Sequence, residues 1–391
     1  MCMRDDDVLA AVRELAPTLR ERAAEAEAQR RVPDTSIEEL EQAGFFRLLQ
    51  PRAYGGLAAD PAVHYAAVKE IAKACGSTGW AVSVIGVHPW HVALYDPRAQ
   101  EEVWGGDSST RICSSYAPTG AVTPVDGGVR LSGRWHFSSG CDHAQWALLG
   151  GLVTDGGGRP VDMRTFLVPR TDYRVDDVWD TVGLRGTGSN DIVVEDAFVP
   201  DHRALGYGPM SALVCPGQEI NTEPLYRLPY AAVFTTTIST AVVGIAEGAY
   251  EHYVAAARER FRVPYGQKVA EDPFAQVRIA RAASDIDAAW LQLTRNIADL
   301  YATARRGEQP PMSLRARARR DQVIATERAV TAVDLLMENA GGSVMRKGDS
   351  ALQRAWRDVH TGRGQAANDL ERALVLFGQD ALGIDIHDPM L

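Results

Sequence analysis

The chain has 391 residues, 46% hydrophobic and 24% charged, enough to bury a large core and to form roughly two or three domains. A formal net charge of −10 argues against a nucleic-acid or anionic-membrane partner, since those surfaces attract Lys and Arg. Cys2, Cys75, Cys113, Cys141 and Cys215 are scattered without CxxC spacing, which argues against a disulfide framework or zinc site and for a reducing, cytoplasmic setting.

The acidic start MCMRDDD runs directly into an amphipathic pattern, unlike a signal peptide. Residues 1–105 read as helix. Asp5 to Asp7 cap a first helix with Val8, Val12, Leu15 and Leu19 at helical spacing, and Pro17 is expected to bend it. A second helix is capped near Asp34 or Ser36 and stopped by Gly44; a third starts near Pro61, and an apolar one runs from Thr78 to Tyr95.

From 106 to 229 the period changes. The runs TRICSSYAP, VTPVDGGVRLSGRWHF, WALLGGLV, TFLVP and DIVVEDAFVP are β-prone and separated by turn signals, with Asp126-Gly127-Gly128 as a hairpin turn. They predict a small antiparallel sandwich or barrel, followed over 206–229 by a Pro- and Gly-bearing connection. From 230 to 391 the chain is helical again. Segments 235–262, 273–304, 314–340 and 349–376 are amphipathic and fit a four-helix bundle. The apolar stretch from Tyr230 to Tyr250 contains hydroxyl residues and Glu247, and reads as a buried bundle helix rather than a membrane span.

Several cofactor motifs are missing. Gly183-Leu184-Arg185-Gly186-Thr187-Gly188 lacks the third glycine of a dinucleotide fingerprint and precedes a strand. Walker A, GxSxG and HExxH sequences do not occur. His88 and His91 are one helical turn apart without a matching third ligand, so they read as a polar pair lining a cavity, and no metal is expected. Four segments carry candidate chemistry: Trp80 with His88, eight residues on and near the same helix face; Cys113 to Pro118 at a strand end; Trp135 to Gly140, whose aromatics and hydroxyls suit a flat heteroaromatic ring; and the small, polar run Arg357 to Asp369. Taken singly, they also read as a satisfied core histidine, ordinary strand ends and a solvated helix with a glycine break.

Their order, with GFFRLLQP, CGSTGW, SSGCDHA, VGLRGTGSN, DIVVEDAFVP and RARARRDQV, resembles the acyl-CoA dehydrogenase fold from end to end. Within it the chain is similar to the oxygenase components of two-component flavin monooxygenases, most nearly those that hydroxylate the phenolic ring of secosteroids. The resemblance implies an α+β fold with an N-terminal helical domain, a central antiparallel β domain and a C-terminal four-helix bundle. It implies reduced FMN or FAD taken up as a diffusible cosubstrate from a separate NAD(P)H:flavin reductase, a C4a-hydroperoxyflavin, and a phenolic, polycyclic or indolic substrate oxygenated with O2. A homodimer or homotetramer is also implied.

The resemblance further implies residue roles. Trp80, His88, Ser114 and Tyr116 line the aromatic substrate, with His88 and Ser114 near its hydroxyl. Trp135, Phe137 and Ser138 wall the isoalloxazine, Ser139 approaches flavin N5, and Arg262 anchors the flavin phosphate. Related hydroxylases carry a histidine base at the position of Gln365, and glutamine takes up no proton, so either His88 or His360 is expected to cover that role or the substrate, as with an indole or electron-rich polyketide ring, needs no deprotonation. The acyl-CoA dehydrogenases themselves are a rival reading, but Gly364-Gln365-Ala366 has no carboxylate to act as their base. A flavin N-oxygenase acting on an amine is a second rival.

Overall fold

The computed structural model describes residues 4–155, 157–262, 266–346, 350–388 and 391. The first helices follow the local signals of the sequence. At the start of α1 (Asp5–Glu21) the Arg4 amide donates to Asp7 at 3.1 Å, and three acidic residues lie in the first turn, where the helix dipole favours them. Val8, Val12 and Leu19 face inward, and the helix continues through Pro17 without interruption. After α2 (Ala23–Gln29), α3 (Asp34–Gln42) begins behind Pro33 rather than a capping side chain; Ser36 instead accepts from Arg22 at 3.2 Å. Gly44, at φ +80°, turns the chain after it.

Asp60 caps α4 (Pro61–Ala74) by accepting from the Ala62 amide at 2.9 Å. Helix α5 (Gly76–Val92) is buried at every position from Ser77 to Val92, so it has no polar face and sits inside the molecule. Helix α6 (Pro97–Trp104) closes this region.

Seven strands follow: β1 (Ile112–Val125), β2 (Gly128–Ser138), β3 (Trp146–Thr154), β4 (Pro160–Pro169), β5 (Tyr173–Asp176), β6 (Asn190–Pro200) and β7 (Ala204–Gly206). Their order is β5-β6-β2-β1-β3-β4-β7. Strand β1 serves two partners. Its end, Ala121 to Val125, pairs antiparallel with β2 around the turn at Gly127 (φ +75°), while its start, Ile112 to Ser115, pairs with β3 in parallel. The sheet is therefore mixed where residue alternation predicts an antiparallel one. Alternation reports which face a side chain takes, not the direction of the neighbouring strand. Trp135, Leu149, Phe166 and Ile192 build a separate core inside this β domain.

Helix α7 (Tyr207–Ala212) leads to the bundle of α8 (Tyr230–Glu259), α9 (Pro273–Arg305), α10 (Met312–Ala340), α11 (Ala351–Arg363) and α12 (Leu370–Ala381); the short strands β8 (Phe261–Arg262) and β9 (Gln267–Lys268) lie between α8 and α9. Helix α8 is long and apolar enough to cross a bilayer, yet most of it is buried among its neighbours. The expected fourth bundle helix is in fact two, α11 and α12, separated at Gly364 to Asp369. A buried amide explains the break. Asn368 Oδ1 accepts from Gln322 (2.7 Å) and Thr326 (3.0 Å), and its Nδ2 donates to the Gly362 carbonyl (2.8 Å). These bonds replace the helical ladder at that point.

Candidate active site

Helix α5, the first half of β1 and the start of α8 converge on one buried cluster. Helix α5 supplies His88 and His91, with Trp80 about 12 Å away along the same helix; β1 supplies Tyr116 and, two residues before it and so on the same face, Ser114. Tyr230 and Phe234, one turn apart on α8, stack on each other at 5.6 Å. His88 stacks on Phe234 at 6.3 Å and meets Tyr116 edge-on at 6.0 Å. Tyr116 Oη lies 2.9 Å from His91 Nδ1 and 3.3 Å from His88 Nδ1. The Nε2 atoms of both histidines are buried without a hydrogen-bond partner among the described residues.

Burial sets the charge of this cluster. It pushes His88 well below the usual imidazole range, with His91 adding to the effect, and pushes His91 down to about 3. It also raises the Tyr116 hydroxyl well above its usual range. At neutral pH the cluster is uncharged and can hold an apolar ring, with imidazole nitrogens as its hydrogen-bonding points. Among the described residues, no three or more His, Cys, Asp or Glu side chains group as a metal site requires.

A ladder of hydroxyls starts at Trp80, about two turns before His88 on α5. Trp80 Nε1 donates to Ser139 Oγ at 3.1 Å, Ser139 Oγ lies 2.8 Å from Ser189 Oγ, and Ser189 Oγ lies 2.6 Å from Thr187 Oγ1. Thr187 in turn donates to the Leu184 carbonyl at 2.8 Å. The segment 183–187 is held by Asp358 of α11, which accepts from the Leu184 amide at 2.6 Å. Beside the ladder, Phe137 is 72% exposed at φ +66°, edge-on to Trp179 at 6.1 Å. A bulky residue in the left-handed region with its ring uncovered is a costly arrangement. Neutral hydroxyls next to an open aromatic ring fit a flavin ring system, which needs apolar contact on its face and hydrogen bonds at its edge.

Not every expected residue joins this site. Trp135 is fully buried in the separate β core, where its Nε1 donates to the Gly150 carbonyl at 2.8 Å and its ring lies against Gly120, so it supports the sheet instead of walling an open ring site. Ser138 is buried beside Cys113. His360 is turned away. Asp358 and Gly362 face α5, where Gly362 lies against the Trp80 ring, while His360, two residues from each, falls on the opposite face of α11. There it meets Asp334 at 2.9 Å and Trp356 edge-on at 4.9 Å, which corrects the expectation that it could serve as a base beside His88. Gln365 caps its own turn by accepting from the Ala367 amide. Arg262 lies in β8, and its side chain is outside the described residues.

The cluster also contains residues with weaker sequence signals. His91 is legible only as a neighbour of His88. Tyr230 and Phe234 are spaced one turn apart, a pattern shared with any apolar helix. Tyr207, which meets Tyr230 edge-on at 5.7 Å, has no signal in its segment.

Comparison with known proteins agrees with this architecture. Residues 5–105 match the family described as acyl-CoA dehydrogenase, N-terminal domain, and residues 236–369 match acyl-CoA dehydrogenase, C-terminal domain. The flavin-dependent monooxygenase, oxygenase subunit HsaA, of Rhodococcus jostii is 56% identical, over 96% of this chain and 98% of its own. The crystal structure of the HsaA monooxygenase from M. tuberculosis superposes with a TM-score of 0.95 at 51% identity, covering 100% of both chains. XiaF from Streptomyces sp., solved with FADH2 and glycerol, superposes with a TM-score of 0.91 at 28% identity, covering 99% of this chain and 98% of its own. A buried neutral aromatic cluster and a chain of hydroxyls on the same helix, on this fold and at these identities, mean that the chain belongs to the oxygenase subunits of the flavin-dependent aromatic monooxygenases.

Proposed function

We propose that the chain is the oxygenase of a two-component system, receiving reduced FMN or FAD as a diffusible cosubstrate from a separate NAD(P)H:flavin reductase. It hydroxylates a phenolic, polycyclic or indolic ring with O2, in the cytoplasm and as a homodimer or homotetramer. Reduced flavin, when bound, supplies the electrons that activate O2 and allow one oxygen atom to be transferred to the ring.

The chain's own residues bind, orient and exclude water. The observation that carries this reading is the buried Nε2 of His88, without a hydrogen-bond partner among the described residues and set among aromatic rings. A phenol hydroxyl donating to that nitrogen gains electron density on its ring, which favours attack on an electrophilic oxygen. Ser114 and Tyr116 line the same pocket, and Trp80 joins it to the hydroxyl ladder. On the flavin side, Ser139 contributes a hydroxyl at the ring edge, Phe137 covers a face, and Arg262 supplies a donor to the phosphate. Ser139 is held in place by Trp80 and Ser189, so its hydroxyl direction is set before anything binds. Burial of the whole cluster keeps water from the reacting atoms.

The test mixes the purified protein with chemically reduced FMN or FADH2 and a phenol under 18O2, without reductase or NAD(P)H. One 18O atom in a ring hydroxyl is the expected result. Flavin oxidation with no labelled product from any phenolic or indolic ring, together with acyl-CoA oxidation using an artificial acceptor, would replace this reading with the dehydrogenase one.

A further inference from the structure

Tyr116 stands between two histidines, and its single hydroxyl proton constrains both. Each neutral imidazole carries one N–H, on Nδ1 or on Nε2. The Tyr116 hydroxyl contacts both Nδ1 atoms, that of His91 at 2.9 Å and that of His88 at 3.3 Å. It can donate to only one of them, and the other must then carry its own proton on Nδ1 and donate back. The two Nε2 atoms, both buried without partners among the described residues, are therefore opposite in character, one bare and one an N–H.

Distance selects between the two arrangements. The shorter contact is with His91, so the hydroxyl proton belongs to that bond. The hydroxyls of Tyr230 and Ser114 also approach Tyr116 and act on it in the direction of donors, lowering its hydroxyl against the effect of burial, so His91 Nδ1 remains the acceptor of its proton. His88 then holds its proton on Nδ1, and its Nε2 is bare.

We propose that Tyr116 and His91 hold His88 as the Nδ1–H tautomer, so that the pocket selects a neutral ring donating a hydrogen bond, such as a phenol or indole, over one that can only accept. His91 touches no ligand in this scheme and acts as a positioning residue through Tyr116. The inference rests on the docking of substrate at His88 proposed above. A ring that cannot donate, such as an aryl ether or a phenolate, leaves the buried Nε2 unsatisfied. That loss corresponds to a preference of about 10-fold or more for the donor.

The test titrates 4-ethylphenol and its methyl ether, 4-ethylanisole, into the purified protein by calorimetry. The wild type is expected to bind the phenol tighter by about 10-fold or more. Tyr116→Phe keeps the ring and frees the tautomer, so the ratio should fall to within about 3-fold. His91→Phe leaves His88 Nδ1 as the nearest partner of the Tyr116 hydroxyl, moves the His88 proton to Nε2, and should abolish or invert the preference. Unchanged ratios in both variants overturn the tautomer lock. Long-range 15N–1H spectra of histidine-labelled wild type read the His88 tautomer directly: Nδ1–H is expected, and Nε2–H overturns the proposal even where a variant does not fold. Failure of the wild type to bind either probe, or binding unaffected by His88→Ala, overturns the docking reading and the selectivity that rests on it, an outcome distinct from an unselective but His88-dependent pocket, which overturns the lock alone.

Discussion

Asp358 offers a prediction whose sign separates two physical accounts of a buried carboxylate. Its side chain is 2% exposed, with one oxygen accepting from the Leu184 amide and the other set against Gly76 at the start of α5. Burial is the largest influence and pushes it from 3.8 up to about 6, opposed by the Leu184 bond and by Arg357 and Arg354. An acid whose pKa is raised on folding is unpenalised below its unfolded value. The penalty grows as pH rises from about 4 and is complete above about 6. Roughly two pKa units correspond to about 3 kcal/mol. Asp358→Asn keeps an acceptor for Leu184 and carries no charge, so its stability relative to wild type should rise across that window and level off above it.

The assay is chemical denaturation of both proteins, followed by tryptophan fluorescence, at pH values from about 4.5 to 7.5 in constant ionic strength. The quantity of interest is the difference between variant and wild type, which removes the titration of all other groups. If the arginines and the α5 N-terminus outweigh burial, the carboxylate is the preferred form in the folded state, and Asp358→Asn loses stability as pH rises. A flat difference, or one of that opposite slope, refutes the reasoning.

The remaining predictions concern the pocket and its supports. His88→Ala should lower the yield of hydroxylated product per reduced flavin by about 10-fold or more while changing flavin affinity little, because it removes the buried acceptor that orients the ring hydroxyl; product chromatography and flavin fluorescence quenching read the two quantities. Phe137→Ala should weaken flavin binding several-fold, seen by the same quenching titration, and leave the unfolding midpoint nearly unchanged, since its ring is largely exposed. Asn368→Ala should destabilise the protein by about 1 to 3 kcal/mol in denaturant, because it removes the buried hydrogen bonds with Gln322, Thr326 and the Gly362 carbonyl.

The sequence by itself determined the order of helical, β and helical regions, the start of α4 near Pro61, the turn at Gly127, the apolar character of α5 and the burial of α8. These are local properties: periodicity, turn residues and caps act within a few residues of where they are read. Resemblance added the family, and with it His88, Ser139 and their neighbours as residues to watch. Tertiary structure alone decided which of these meet. Trp80 reaches Ser139 across 59 positions of chain, and Leu184 reaches Asp358 across 174. Neither bond leaves a mark in the spacing of its own segment. Trp135 and Phe137 lie two apart on one strand, yet Trp135 enters the β core, while a left-handed backbone at Phe137 turns its ring outward. His360 and Asp358 show the same limit on a helix: two residues apart, they point to opposite faces, and only the packing of α11 against α5 on one side and Asp334 on the other decides which faces the site.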